Sequence, residues 1–338
     1  MRSSLTLQSR LMRPVIEAEL KRQVRRLARQ PTRKFYDLLA YHMGWGGAVR
    51  RGLGGKRIRP LLSLLVCSAV GGRWRQAAPG AAALELLHNF SLVHDDIQDN
   101  SPTRRGRPTL WRKAGMPMAI NAGDALFTIA NQAALDLSRA FGPVEVFAVA
   151  TILQEACLDL TKGQYLDLSH QKARALPLKS YWQMIEGKTA ALIGACTHVG
   201  AVLGGADESR CDGYRKFGRL LGLAFQVQDD LLGIWGEESA TGKSAATDLV
   251  EGKLSLPVVY GLAQSGKFAS LWRSSHRRAS SSPKLRALLE QAGAREYATQ
   301  QAERLTRRAM ALLRRLHPQG EAGAALYELG TQLLSRRA

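Results

Sequence analysis

The chain has 338 residues, a hydrophobic fraction of 45% and a charged fraction of 22%, a balance that fits a folded globular protein and excludes a disordered or fibrous one. No apolar run reaches the roughly eighteen residues of a membrane span, and the basic start at 1–5 leads into charged residues instead of an apolar signal core. The formal charge of +20, from 48 basic and 28 acidic residues, calls for an anionic partner, but no zinc-finger spacing or RNA-binding aromatic motif accompanies it, so nucleic acid is not expected.

Ala, Leu, Arg and Gln abound, and helical periodicity runs almost throughout without a convincing period-two strand. One or two amphipathic helices are predicted over 10–43, then a Gly-rich break over 44–55. A helix over 57–70 carries Pro60 near its start, where proline is tolerated. A long apolar helix spans 77–99, and a loop follows over 101–108. Further helices are predicted over 120–141, 144–168, 178–204 and 209–233. A polar segment at 237–247 is expected to be mobile, and 265–283 to be a surface loop. Two helices, 284–316 and 321–337, complete the chain. No linker divides it, so the expectation is one all-α domain of antiparallel helices around a central cavity, residues 1–338, with 1–40 as an N-terminal helical extension. Cys67, Cys157, Cys196 and Cys211 show no CxxC spacing, which suits a cytoplasmic protein without disulfides.

Two aspartate clusters stand out. Asp95, Asp96 and Asp99 end the helix over 77–99, and Asp229 and Asp230 lie near the end of that over 209–233. Carboxylates so close repel and are costly to bury without a neutralising charge. With 3.6 residues per helical turn, Asp95 and Asp99 project from one face with Asp96 beside them. Two such faces across a cavity would cage hard divalent cations of the kind that carry a substrate's phosphates. A single acidic cluster is more often a solvated helix face. Here apolar residues precede both clusters, and cations follow them: Arg104 and Arg105 after the first, Lys243 and Lys253 after the second. Carboxylates for metal with cations for phosphate is a combination that a solvated face does not need. The remaining basic pairs, such as Arg25-Arg26 and Arg314-Arg315, fit a solvated surface, with weak peripheral contact to anionic lipid as a minor alternative.

Other Gly-Lys elements fail as phosphate loops. Gly242-Lys243-Ser244 lacks the upstream glycine at the required spacing, Gly54-Gly55-Lys56 lacks the following hydroxyl, and neither follows a strand. A class I terpene cyclase would place a hydroxyl four residues after Asp229, where Gly233 stands.

In these motifs the chain resembles the trans-isoprenyl diphosphate synthases of the polyprenyl synthetase family, especially short-chain geranylgeranyl diphosphate synthases, from about residue 40 onward. Gly54-Gly55-Lys56 with Arg59 and His88 matches the segment that grips isopentenyl diphosphate. Asp95, Asp96 and Asp99 match the first aspartate-rich motif, and Arg104 and Arg105 its arginine pair. Lys188 and Thr189 match the lysine-threonine pair. Gln226, Asp229 and Asp230 match the second motif, and Lys243, Asp248 and Lys253 its downstream partners. Gln164 and Asp167 are second-tier candidates facing the cavity.

The resemblance implies about three Mg²⁺ ions on Asp95, Asp99 and Asp229, with Asp248 acting through water, and an allylic diphosphate bound to them. Arg104, Lys188 and Lys243 would stabilise the departing pyrophosphate. Lys56, Arg59, His88 and Arg105 would hold isopentenyl diphosphate. It further implies a homodimer, for which apolar helices such as 120–141 could supply the interface. Product length is expected to depend on Phe90 and Ser91, five and four residues before Asp95, with Leu87 a turn below; one aromatic there implies twenty carbons, two imply fifteen. A helical wheel puts Ser91 almost beneath Asp95 but Phe90 about 140° around. Many relatives carry a third carboxylate where this chain has Gly233, which bears on metal affinity at the second motif. The alternatives are a farnesyl or longer-chain synthase, a non-catalytic prenyltransferase subunit, and a terpene cyclase.

Overall fold

The computed structural model describes residues 3–45, 55, 57–171, 173, 175–236, 247–274 and 281–334. Apart from one two-residue ribbon, the regular structure is helical, as expected. Contacts group the chain into two compact units. The first comprises 1–155, 195–212 and 318–326, and the second 156–194, 213–317 and 327–338. No described helix is long and apolar enough to cross a membrane.

In the first unit the chain enters helix Ser4–Val24 at a capping serine: the Ser3 side chain accepts from the Thr6 amide, satisfying one orphan donor of the first turn. Met12, Ile16, Leu20 and Val24 recur every fourth residue and are fully buried or nearly so, which fixes this helix by one apolar stripe. Helix Arg33–His42 follows. The expected 10–43 region is thus two helices, and the first begins six residues earlier than periodicity indicated. Helix Ile58–Ala69 is apolar on all sides, with Leu61 to Cys67 buried. Helix Ala78–Gln98 buries its alanine-leucine run from Ala81 to Leu87, and its most extensive packing is against helix Met116–Leu135. That helix offers Ala119, Ala122, Gly123, Ala130, Ala133 and Ala134 as buried residues, small side chains that let helix axes approach closely.

The loop after the first aspartate cluster contains a β-ribbon, Thr103–Arg104 paired antiparallel with Arg107–Pro108. Its two central residues, Arg105 and Gly106, have φ of 53° and 71°, the left-handed pair that a two-residue hairpin turn demands. Glycine adopts this freely; for Arg105 it is uncommon.

The second unit is built around Tyr181, Tyr214, Phe217 and Phe268, all buried. The continuous helix expected over 178–204 is instead helix Leu178–Ile185, a π-helical turn at Glu186–Ala190, and helix Ala191–Leu203. The turn lies where Gly187 meets Gly163 of helix Pro143–His170: a Cβ on Gly187 would come within 2.6 Å of the Asp159 carbonyl oxygen. Part of the loop expected at 265–283 is helix Lys267–Ser274, anchored by Phe268, Ala269 and Trp272; its polar sequence hides an apolar face of only three residues. The single helix expected over 284–316 is split into Ser282–Gln291 and Ala294–Arg315. Gly293, at φ 71°, ends the first of these as a left-handed glycine commonly does. Helices Leu110–Ala114, Thr247–Glu251 and Leu256–Ala263 were too short for periodicity to reveal. Most of the polar segment at 237–247 lies outside the described residues.

Candidate active site

In the first unit, helix Ala78–Gln98 delivers the first cluster at its C-terminal end, with Asp99 as its cap. The three aspartates are not equivalent. Asp96 is buried, and Arg104 Nε donates to its Oδ1 at 2.8 Å. Burial raises the Asp96 carboxyl pKa, and the neighbouring Arg104 opposes that rise. Asp95 is half-buried and Asp99 exposed. The ribbon that carries Arg104 and Arg105 is tied down behind the cluster: the Thr109 hydroxyl and Trp111 indole N–H each donate to the Ser101 carbonyl at 2.9 Å. The Tyr41 hydroxyl donates to the Pro108 carbonyl, and the Arg107 guanidinium lies 3.8 Å from the centre of the Tyr41 ring.

Cations gather beside this cluster. Arg59 Nη1 lies 3.1 Å from His88 Nε2, so the imidazole is the acceptor. Burial and Arg59 hold His88 well below its ordinary pKa. His88 therefore positions Arg59 more readily than it adds a positive charge. Arg59 Nε is buried with no hydrogen-bond partner among the described residues. Arg105 is pushed below its usual range by burial and by Arg57 and Arg104. Its guanidinium rests on Gly55, where a Cβ would come within 2.8 Å of it. A pocket is lined by Tyr41, His42, Asp96, Arg104, Arg105 and Arg107. This excess of guanidinium, with an unmet buried donor, suits a polyanion.

Sequence reasoning missed what holds these groups. Arg57, in the left-handed conformation at φ 47°, opens helix Ile58–Ala69. Its Nε donates to Glu17 at 2.7 Å, Nη1 to Glu85 at 2.9 Å and Nη2 to the Met43 carbonyl at 2.9 Å. The signal was present: Glu85 is the lone charge in an alanine-leucine run, and a charge there must have a buried partner. His42 was missed too. Burial, with Arg104, Arg105 and Arg57, pushes its pKa down to about 3.

The folded state thus keeps His42 neutral, while the unfolded chain takes up a proton near pH 6.5. The stability this supplies is present above that pH and is lost as the pH falls toward 3. Between pH 7 and pH 5 the share of the loss due to His42 is expected to be about 2 kcal/mol, so the urea midpoint should fall less steeply in a His42→Gln variant, where His88 still contributes. Parallel pH curves for the two proteins would refute this.

The expected product-length residues lie on the same helix. Leu87 is fully buried, and the Ser91 hydroxyl donates to the His88 carbonyl at 2.8 Å. The Phe90 ring packs 4.9 Å from that of His94 and 5.4 Å from that of Phe127.

In the second unit the same asymmetry recurs. Asp229 is exposed, whereas Asp230 is buried. Asp230 accepts from the Tyr181 hydroxyl at 2.6 Å, Gln226 Nε2 at 2.9 Å and the Leu256 amide at 2.8 Å. The Thr189 hydroxyl donates to Gln226 at 2.7 Å, so Thr189, Gln226 and Asp230 form one chain of hydrogen bonds. Lys253 Nζ lies 3.7 Å from both Asp230 and Asp248. Burial alone would lower the lysine's pKa, but Asp230, Asp248 and Asp229 together raise it. Burial pushes Asp248 up to about 6 against the pull of Lys253. Lys188 pairs with Asp167, which brings a second-tier candidate into the cluster. Lys56 and Lys243 lie outside the described residues.

An all-α fold carrying two aspartate-rich helix ends, each beside cations, defines a class of enzyme that handles diphosphates. A model of the polyprenyl synthetase family matches residues 49–292, and the chain belongs to that family. It is 36% identical over 312 residues to a (2E,6E)-farnesyl diphosphate synthase of Mycobacterium bovis, covering 89% of this chain and 86% of that protein. To a geranylgeranyl diphosphate synthase of Mycobacterium tuberculosis it is 43% identical over 230 residues, 67% of this chain and 64% of that one. The crystal structure of a geranylgeranyl pyrophosphate synthetase from Pyrococcus horikoshii matches with a TM-score of 0.89 at 31% identity, over 99% of this chain and 98% of that one. The protein is a trans-prenyltransferase of isoprenoid biosynthesis, an isoprenyl diphosphate synthase.

Proposed function

We propose that the enzyme condenses isopentenyl diphosphate with an allylic diphosphate, head to tail, and releases pyrophosphate, with geranylgeranyl diphosphate as its product. The observation that carries the reading is the repeated division of labour within each aspartate pair. Asp96 and Asp230 are buried and hydrogen-bonded by their own units, while Asp229 is exposed and Asp95 half-buried.

The donor chemistry suits a divalent cation: Asp248 Oδ2 is buried with no hydrogen-bond partner among the described residues, and carboxylate oxygens are the donors that Mg²⁺ prefers, although among the described residues no three His, Cys, Asp or Glu side chains already converge on one point. Asp95, Asp99, Asp229 and Asp248 would hold about three ions, whose charge would offset that of the departing pyrophosphate. Arg104 in the first unit, and Lys188 and Lys243 in the second, would supply cationic groups for diphosphate. Lys56, Arg59 and Arg105 would hold isopentenyl diphosphate, with His88 aiming Arg59. Fixing two polyanions in register for attack is the main task of the chain. No protein base is required if the leaving pyrophosphate accepts the proton. The family match runs through residues of both units, which supports one functional domain. Exposed Met116, Met118, Ile120, Leu135, Val144 and Phe147 support the homodimer, since a monomer gains nothing from displaying them. A cytoplasmic location completes the proposal.

Twenty carbons rest on a single aromatic, Phe90, before the first cluster, with Ser91 small. A fifteen-carbon product is the second reading, favoured by a relative aligned over 89% of the chain and named for farnesyl diphosphate. The deciding assay supplies labelled isopentenyl diphosphate, each allylic starter and Mg²⁺, then measures chain length after dephosphorylation; hydrocarbon products would overturn the synthase reading. In that assay Phe90→Ala is expected to lengthen the products, because removing the ring opens space beside Phe127 and His94. An unchanged distribution would remove Phe90 from product control.

A further inference from the structure

One guanidinium joins four parts of the first unit. Arg57 donates to Glu17 of helix Ser4–Val24, to Glu85 of helix Ala78–Gln98 and to the Met43 carbonyl at the end of helix Arg33–His42. The residue itself opens helix Ile58–Ala69 in the left-handed region, a conformation that is strained for any residue but glycine. A bond at each of its three nitrogens fixes the direction of the side chain and holds that strained entry in place. Arg59 follows in the first turn of the same helix. Two cross-links therefore run side by side to helix Ala78–Gln98: Arg57 to Glu85 and, two residues on, Arg59 to His88. The second is the pair read above as gripping isopentenyl diphosphate, and the first sets where it stands. Glu17 is the member of this arrangement that no substrate motif contains, and it lies outside the residues 49–292 that the family model matches. Its carboxylate serves two donors: Oε1 accepts from Arg57 Nε at 2.7 Å and Oε2 from the Trp45 indole N–H at 2.9 Å. Trp45 and Arg57 flank residues 46–56, which include Gly54-Gly55-Lys56. One carboxylate thus ties the two flanks together.

We propose that Glu17 is a positioning residue for isopentenyl diphosphate: it fixes Trp45 and Arg57 on either side of the stretch that bears Lys56, and with Arg57 the direction of Arg59. This rests on the reading of Lys56, Arg59 and His88 as the isopentenyl diphosphate grip. The N-terminal helix, which carries no residue of the site, is then part of what binds this substrate. The position needs a carboxylate, because an amide has one acceptor oxygen and would turn its NH2 toward one of the two donors.

The test is steady-state kinetics on the full chain, varying each substrate at saturating levels of the other and of Mg²⁺. Glu17→Ala should raise the KM for isopentenyl diphosphate about fivefold or more, with kcat and the KM for the allylic diphosphate within about twofold of the parent. Glu17→Gln should move the same constant in the same direction by a smaller factor. Adding Trp45→Phe to Glu17→Ala should raise it no further, since the indole acts through the carboxylate. The control is Asp136→Asn. Asp136 anchors the same helix through Arg22 and Gln23, and the residue after its last turn but one through Arg26, contacts that Arg57 does not share. It should lower the melting midpoint while leaving both KM values within about twofold. An unchanged KM for isopentenyl diphosphate in Glu17→Ala would overturn the proposal. Equal rises in both KM values, or the same selective rise in Asp136→Asn, would also overturn it, by showing that docking of the helix is all that matters. Should Glu17→Ala fold too poorly to assay, Glu17→Gln carries the same comparison. A parent protein that turns over no isopentenyl diphosphate would instead overturn the reading beneath the proposal, and the proposal with it.

Discussion

Asp95→Ala is expected to reduce turnover at least about 10²–10³-fold in saturating Mg²⁺, the scale of loss when a group that stabilises developing charge is removed. The expectation follows from the inequality within the first cluster. Asp96 is already engaged by Arg104 at 2.8 Å and cannot turn outward without abandoning a buried ion pair. Asp99, as the exposed helix cap, lies a full turn away. No neighbour can therefore take over the place of Asp95. Single-turnover measurements with a preformed allylic diphosphate would place the loss in the chemical step. Near-normal rates would refute the assignment of Asp95 to the cation site. Asp96→Ala should differ in kind: it strands Arg104, so it should also lower the unfolding midpoint, which Asp95→Ala should leave almost unchanged.

Arg57→Met is expected to cost about 3–5 kcal/mol of stability, because removing one partner of a buried ion pair leaves the other charge uncompensated. Both side chains of the Arg57–Glu85 pair are almost wholly enclosed, at 3% and 4% exposure. The Met43 carbonyl also loses its Arg57 donor, and Glu17 keeps the Trp45 indole N–H but not the guanidinium. Urea unfolding would report the loss as a lower midpoint. Arg57→Lys should recover only part of it, since an ammonium cannot reach three acceptors in a fork. Replacing both partners, as Arg57→Met/Glu85→Leu, should recover more than Arg57→Lys, since no charge then stays buried. A loss below about 1 kcal/mol for Arg57→Met would show that water reaches Glu85 in place of the guanidinium.

The parts of this protein that could be read from the sequence are those where chemistry depends on residue type and local spacing. The long helices declared themselves by period, and the aspartate clusters by an energetic oddity, adjacent carboxylates on apolar segments. Arg59 with His88, and Thr189 with Gln226, were expected to bind substrate, and the structure brings each pair within hydrogen-bond distance. What stayed hidden depends on long-range partners. Nothing local says that Asp96 and Asp230 are buried while Asp229 is exposed, because that difference is set by Arg104 in one case and by Tyr181 and the Leu256 amide in the other. The π-helical turn at Glu186–Ala190 was equally invisible, since it answers to Gly163, more than twenty residues upstream. The packing of the Asp248 carboxylate against Gly233 was hidden too, because the two lie on different helices.

The contact between Gly163 and Gly187 bears on how this enzyme tolerates change. There the main chains themselves touch, and Lys188, the next residue, pairs with Asp167 one turn beyond Gly163. The direction of the lysine is set by two backbones and hardly at all by the volumes of surrounding side chains. Gradual drift in core composition is absorbed by rotamers and leaves such a geometry unaltered. A methyl group at either glycine acts on the spacing of the helices directly. The ammonium is thereby insulated from many small changes and brittle to a single one.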